Sequence, residues 1–306
     1  MKVVVLTGGV GGVKFVLGLQ HCNEVSQLTA IVNTGDDFQH LGLNISPDID
    51  TLLYTLSGQA NGAQGWGREG ESWNFMAALK ALGGPDWFNL GDGDLALHVL
   101  RTERLRRGEA LSAITAGFAQ AWRIGLTVIP MSDDQVSTWL DTDEGPLSFQ
   151  SYFVERQCRP VVRAVRFEGS TQAQPAPGVV DAIANADAVF IAPSNPYLSI
   201  DPILAVCGIS DALRETKAPI IAISPLIGGK AVKGPTGKLM AELGIEADNQ
   251  AIAAHYKGVI DGMLHDTGDA PPASIPARAT ASLMTTLEDK VRVARTALAV
   301  AADLKA

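Results

Sequence analysis

Six apolar runs of strand length recur along the chain, at 3–6, 28–32, 126–129, 188–191, 220–223 and 259–264, typically ending in a burst of Gly, Ser, Asn or Asp. Most of them are apolar without alternation, the pattern of strands buried on both faces of a parallel sheet. Helical patterns lie between and beyond them, at 13–20, 48–57, 72–82, 95–106, 109–123, 202–214 and 286–304. Pro47 and Pro202 stand where the first turn of a helix accepts proline. The expected fold class is α/β: a Rossmann-like, doubly wound, mostly parallel sheet with helices on both faces.

Two stretches break the rhythm. Residues 141–178 are polar and end in Gln172-Ala173-Gln174-Pro175-Ala176-Pro177-Gly178, while 162–167 alternates like a strand with one wet face. The expectation is a single Rossmann-like domain over 1–306 with a smaller cap inserted at 141–178. Residues 265–280, rich in Pro, Ala and Asp, lack periodicity and are expected to form a mobile loop.

Composition excludes several classes. With Lys+Arg 24 against Asp+Glu 33 the net charge is -9, which argues against a nonspecific nucleic-acid binder and against an anionic membrane surface as partner. Cys22, Cys158 and Cys207 form no CxxC pair, and the histidines form no HxxH pair, so reduced thiols fit better than disulfides or zinc. The N-terminus passes from Met1-Lys2 straight into a β-rich run, and no span of about 20 apolar residues follows. A cytoplasmic location is expected.

In a doubly wound sheet, ligands bind beyond the carboxyl ends of the strands, where strand order reverses. There the chain places Thr7-Gly8-Gly9-Val10-Gly11-Gly12-Val13-Lys14, Asn33-Thr34-Gly35-Asp36-Asp37, Pro130-Met131-Ser132-Asp133-Asp134, Pro193-Ser194-Asn195-Pro196 and Ser224-Pro225-Leu226-Ile227-Gly228-Gly229. The glycines of the first loop let backbone N–H groups approach a phosphate, or simply make a tight turn. Lys14 occupies the third glycine position of a dinucleotide fingerprint and Phe15 excludes a P-loop ending. The acidic pairs Asp36-Asp37, Asp48-x-Asp50, Asp92-x-Asp94 and Asp133-Asp134 offer hard oxygens suited to Mg²⁺, or cap helices.

Asp48 reads as a helix-start residue and Asp50, further in, as a partly hydrated group pointing into the crevice. His98, Arg101 and Arg104 share a helix, with His98 expected on its surface. Trp66 and Trp73, flanking Arg68-Glu69, either stack on an aromatic ligand or are partly buried in the core. Gly234-Pro235-Thr236-Gly237-Lys238 is a second candidate anion turn, or plain surface.

The order of these motifs, together with Ile45-Ser46-Pro47-Asp48-Ile49-Asp50-Thr51, Leu90-Gly91-Asp92-Gly93-Asp94 and Lys238-Leu239-Met240, closely resembles the 2-phospho-L-lactate transferase family of deazaflavin coenzyme F-420 biosynthesis. The resemblance spans nearly the whole chain. It implies Mg²⁺-dependent transfer of a three-carbon phosphoacid from a guanylyl-activated donor to the ribityl hydroxyl of the deazaflavin Fo, releasing GMP. Asp50 would orient the attacking hydroxyl as the catalytic residue. Gly8, Gly9, Gly11, Lys14, Asn33, Asn89, Ser194 and Asn195 would bind substrates, and Asp36, Asp37, Asp92 and Asp94 would serve the metal. A homodimer is also implied. Two other readings stand beside it: a nucleotide-sugar-binding regulator of the gluconeogenesis-factor type, favoured less by the Ser-Pro-Asp-x-Asp-Thr segment, and an NAD-dependent dehydrogenase, which the missing third glycine disfavours.

Overall fold

The computed structural model describes residues 1–62, 67–232 and 234–305. Seven strands make its central sheet: β1 Lys2–Thr7, β2 Gln27–Val32, β3 Thr127–Pro130, β4 Ala188–Ile191, β5 Ile220–Ile223, β6 Gly262–Asp266 and β7 Ala277–Thr280. Their order across the sheet is β7-β6-β5-β4-β1-β2-β3, and every pairing is parallel. The α/β doubly wound fold is thus the one the apolar runs specify.

The continuity of those runs follows from two-sided burial. Successive side chains of a strand point to opposite faces. In β1, Val3 and Val5 enter one core while Val4 and Leu6 enter the other. Full burial of each such aliphatic side chain stabilises by about 1.5–3 kcal/mol, so neither face tolerates a polar residue at these positions. The first core is closed by helices α1 Gly9–Gln20, α2 Pro47–Leu56 and Leu287–Lys305. Gly18 of α1 lies so close to the backbone of Lys290 that no Cβ fits there. The second core is closed by Val179–Ala184, Ile209–Glu215 and Asn249–His255. Helices α3 Asn74–Ala81, α4 Asp94–Arg106 and α5 Leu111–Ala121 complete the first half.

A three-stranded antiparallel sheet, Gly145–Ser148, Ser137–Thr142 and Val162–Glu168 in spatial order, sits on the second core. It begins at Ser137, ahead of the polar stretch, because the first strand alternates half-buried and buried residues and reads as amphipathic. The segment after it rejoins the main sheet, where Ala176 N donates to Met131 O at 3.1 Å.

Three other features depart from the sequence reading. The expected mobile loop at 265–280 contains the edge strand β7, three of whose four residues are exposed, so it carries no apolar signature. The expected helix at 202–214 is two helices: the Pro196–Ala205 stretch ends where Val206 turns extended, and Ile209–Glu215 starts after Gly208, whose φ is +89°, at 86° to it. A short hairpin, Phe38–His40 with Leu43–Ile45, turns at Leu41 and Gly42, both with positive φ, the twist that two-residue hairpins require. Among the described residues no single helix is long and apolar enough to cross a membrane.

Candidate active site

The chain leaves β1 toward β2 on one side and returns to β4 on the other, so the switch point lies between β1 and β4. The loops after these two strands interlock there. Ser194 Oγ donates to Gly8 O at 2.6 Å, and Gly9 N donates to Asp48 Oδ1 at 2.6 Å. A Cβ on Gly11 would overlap the Pro193 carbonyl, and one on Gly12 would sit 2.6 Å from Ser194 Oγ. The glycines are therefore required by the close approach of the α1 N-terminus to the Pro193-Ser194 turn. Asn195 Oδ1 accepts from Tyr197 N at 3.0 Å and Leu198 N at 3.2 Å, which fixes its amide and leaves Nδ2 buried without a partner among the described residues.

Against this corner lies a layer of buried carboxylates. Asn33 Nδ2 donates to Asp36 Oδ1 and to Asp48 Oδ2, each at 3.0 Å. Burial raises the Asp48 carboxyl to about 6, against the opposing bonds from Asn33 and Gly9. Burial, then the neighbouring Asp48 and Asp37, push Asp36 well above the usual carboxylate range. Asp37 is raised by burial despite the Ser46 hydroxyl bonded to it at 2.6 Å, and its Oδ1 has no partner among the described residues.

Asp50 is not a hydrated crevice group. It is 5% exposed and forms a two-point ion pair with Arg101, itself 1% exposed, one of whose bonds measures 3.1 Å. Burial raises Asp50 and Arg101 opposes the rise. Arg101 Nη1 also lies 3.3 Å from His98 Nδ1. A guanidinium only donates, so Nδ1 accepts and the His98 proton sits on Nε2, 3.0 Å from Asp94. Asp94 also accepts from the Tyr54 hydroxyl. Burial works against ionisation of Asp94, yet His98 and Tyr54 hold its carboxyl below the usual range. The expected surface position of His98 is thus wrong: at 2% exposure it stands between Asp94 and the Arg101 guanidinium that holds Asp50. The legible signal was Asp94, His98 and Arg101 at i, i+4 and i+7, one face of α4.

Both regions open on one cavity of about 700 Å³, within the range of small-molecule sites. Of the residues expected to act, Gly8, Gly9, Gly11, Lys14, Asp36, Asp50, Asn89, Asp94, Ser194 and Asn195 line it. Lys14 also donates to Met284 O at 2.8 Å. Asn33 and Asp37 are not in its wall and support it from beneath through the bonds given above. Asp48 lines it as well, holding the glycine loop rather than the start of its own helix. Sequence reasoning missed Tyr54, Trp87, Phe88, Phe149, Gln150 and Phe153 on the same wall.

Other motifs have structural tasks. Asp92 accepts from Ser72 Oγ at 2.6 Å, Asn74 N at 3.1 Å and Phe75 N at 3.0 Å, capping α3, and this bonding lowers it to about 2. Asp133 accepts from Ser112 N at 2.6 Å at the start of α5, and Asp134 accepts from Gln174 N at 2.9 Å. Lys238 donates to Pro160 O at 2.7 Å and pairs with Glu242, while Gly234 and Thr236 of its turn reach the cavity. Trp73 is exposed and lies off the cavity wall, and Trp66 lies outside the described residues.

The four aspartates expected to serve a metal do not form one set. Asp92 is bonded to the α3 N-terminus, Asp94 to Tyr54 and His98, and Asp37 to Ser46. Among the described residues no cluster of three His, Cys, Asp or Glu side chains is poised for a metal. The pair that fits Mg²⁺ is Asp36 with Asp48: both line the cavity, both are buried, and the Asp48 charge destabilises the ionised form of Asp36. Mg²⁺ characteristically takes one or two protein carboxylates and completes its octahedron with phosphates and water.

A glycine-lined helix N-terminus beside buried carboxylates at a switch-point cleft places the chain among doubly wound α/β proteins, whose ligand sites lie in such clefts. Residues 3–303 match the family model described as 2-phospho-L-lactate transferase CofD, and the chain belongs to that transferase family. It is 41% identical over 317 residues to a phosphoenolpyruvate transferase of Streptomyces coelicolor, covering 100% of this chain and 99% of that protein. A phosphoenolpyruvate transferase of Streptomyces avermitilis is 43% identical over 317 residues, with the same coverage of 100% and 99%. A solved UPF0052-family protein of Bacillus halodurans shares the fold, with a TM-score of 0.64 at 16% identity, covering 97% of this chain and 98% of that one.

Proposed function

We propose that this protein transfers a three-carbon phosphoacid of phosphoenolpyruvyl type from a guanylyl-activated donor to the ribityl hydroxyl of the deazaflavin Fo, releasing GMP, in coenzyme F-420 biosynthesis. The names of the Streptomyces relatives support the phosphoenolpyruvyl donor over phospholactyl or phosphoglyceryl ones. The observation that carries the reading is one cavity whose wall holds the glycine loop of a helix N-terminus, buried carboxylates and several aromatic side chains.

In this reaction the acceptor oxygen bonds to the phosphoacid phosphorus as the bond from that phosphorus to the GMP oxygen breaks, and the hydroxyl proton is released. Such transfers depend chiefly on positioning and charge neutralisation. The N–H groups of the first α1 turn beyond Gly9, which have no partner within the helix, would hold the donor's phosphates together with Lys14, and Asn195 Nδ2 would supply a further donor. Asp36 and Asp48 would hold Mg²⁺, which neutralises phosphoryl oxygens when bound. Asp50, locked by Arg101, orients the acceptor hydroxyl; a carboxylate tied to a guanidinium is a poor base, so orientation is its task.

Mass spectrometry of the product formed from Fo and each guanylyl-activated phosphoacid tests the proposal. The expected product is the enolpyruvyl phosphodiester of Fo with one GMP released. Stabilisation by UDP-sugars, with no effect of Fo on melting, would favour a nucleotide-sugar-binding regulator instead. As part of the same reading the protein works as a homodimer, and sedimentation at micromolar concentration showing only a 32.2 kDa species would count against it.

A further inference from the structure

Gln150 belongs to none of the motifs above, yet its side chain is 5% exposed and lines the cavity. It stands at the start of the helical turn Ser151–Glu155, in the segment joining two strands of the inserted sheet. Its Nε2 donates to the backbone carbonyl of Asp36 at 3.2 Å. That bond fixes which end of the amide is which, because a carbonyl only accepts. One N–H is therefore engaged with the carboxylate loop. The second N–H and Oε1 remain, and Oε1 has no protein partner among the described residues.

An amide held in this way offers a neighbouring donor and acceptor in one plane, complementary to a lactam edge in which a ring N–H adjoins a ring carbonyl. Two ligands of the proposed reaction carry such an edge, the pyrimidinedione of the deazaflavin and the guanine of the donor. The surroundings of Gln150 favour the first. Phe149 and Phe153, on either side of it in sequence, stack with centroids 5.3 Å apart and planes inclined by 13°, and both line the cavity. A flat tricyclic ring suits such a wall, and a buried polar group on it sets orientation.

We infer that Gln150 reads the lactam edge of the acceptor's ring and so determines which acceptor is accepted. This rests on the proposed transferase reading and adds to it a specificity residue supplied by the inserted sheet. Because the same amide holds the Asp36 carbonyl, ring recognition and the carboxylate loop are joined through one side chain.

The test is equilibrium binding to the full chain, with Fo, its N3-methyl derivative and riboflavin followed by fluorescence, and GMP by calorimetry. In the wild type, N3-methylation is expected to weaken Fo binding about tenfold or more, since a buried amide loses its partner. Gln150→Met, which preserves length and removes both hydrogen-bonding atoms, is expected to weaken Fo by a similar factor, to bind Fo and its N3-methyl derivative alike, and to leave GMP unchanged. Equal wild-type affinity for Fo and the methylated ring overturns the inference without any variant. So does a fall in GMP affinity with Fo unaffected, which would assign the lactam to guanine. Binding of riboflavin but not Fo, lost in Gln150→Met, would remove the proposed acceptor while upholding the role of Gln150. A wild type that binds neither ring overturns both.

Discussion

The glycine corner and the carboxylate layer adjoin on the wall of one cavity but are built on opposite physical terms. The corner consists of main chain, contiguous in sequence, and works because side chains are absent: Gly11 and Gly12 leave room for Pro193 and Ser194. The layer consists of side chains from separate segments, Asn33, Asp36, Asp48, Asp50 and Arg101, and works because charges removed from water find partners. The corner is therefore sensitive to added volume and the layer to a lost counter-charge. They are tied directly by Gly9 N, which donates to Asp48 Oδ1 at 2.6 Å.

The strongest challenge to this contrast is Arg101→Met. It leaves Asp50 buried without its cation and is expected to cost about 3–5 kcal/mol in urea unfolding. Adding Asp50→Asn to that variant should recover part of the loss, because the uncompensated charge is gone. A single-variant cost below about 1 kcal/mol would show that the pair is solvated and erase the distinction. The burial of Asp50 also changes what Asp50→Asn alone should do: a marked stability loss now accompanies any effect on turnover, so the two must be measured together.

In the corner, Gly11→Ala forces a Cβ against the Pro193 carbonyl and is expected to cost about 1–3 kcal/mol. GMP affinity, read by calorimetry, should fall with it, whereas Arg101→Met should affect GMP much less. If Gly11→Ala binds GMP like the wild type, the corner is not the nucleotide side.

Acidity sharpens the comparison, because the corner does not titrate and the layer does. The Asp48 carboxyl is raised from 3.8 to about 6 in the folded protein, so the folded state holds this proton more tightly than the unfolded chain. Its contribution to stability is complete below about pH 4 and is lost as pH rises through about 6. Asp48→Asn should flatten that part of the stability-against-pH curve. Added Mg²⁺ should raise the melting temperature more at pH 8 than at pH 5, where protons compete for the same oxygens, and chelation should abolish turnover. Equal Mg²⁺ shifts at both pH values would remove Asp36 and Asp48 as its site.

The smallest effect belongs to an aspartate outside both regions. Asp92→Ala should cost about 1 kcal/mol through the lost α3 cap and leave turnover and its Mg²⁺ requirement near wild type. A large loss of turnover at unchanged stability would return Asp92 to the site.

How much of this was legible depends on how local each cause is. Val3 to Leu6 and Ile220 to Ile223 announced buried parallel strands because two-sided burial imposes a continuous apolar run. The edge strand Ala277–Thr280 left no such mark, since solvent covers most of it. The glycine loop and the Ser194-Asn195 turn were legible as site elements because conformational freedom and small size are written in residue identity. By itself, then, the sequence determined the sheet, the helices that cover it and the edge on which a ligand sits. Which aspartates face the cavity was decided only by tertiary structure. Asp48 and Asp50 lie two residues apart on one helix, and Asp92 and Asp94 are two apart at another, yet one of each pair pairs within the Arg101–His98 relay and the other does not. A carboxylate's role is fixed by the donors and the burial that distant segments bring to it, and those are properties of the folded chain.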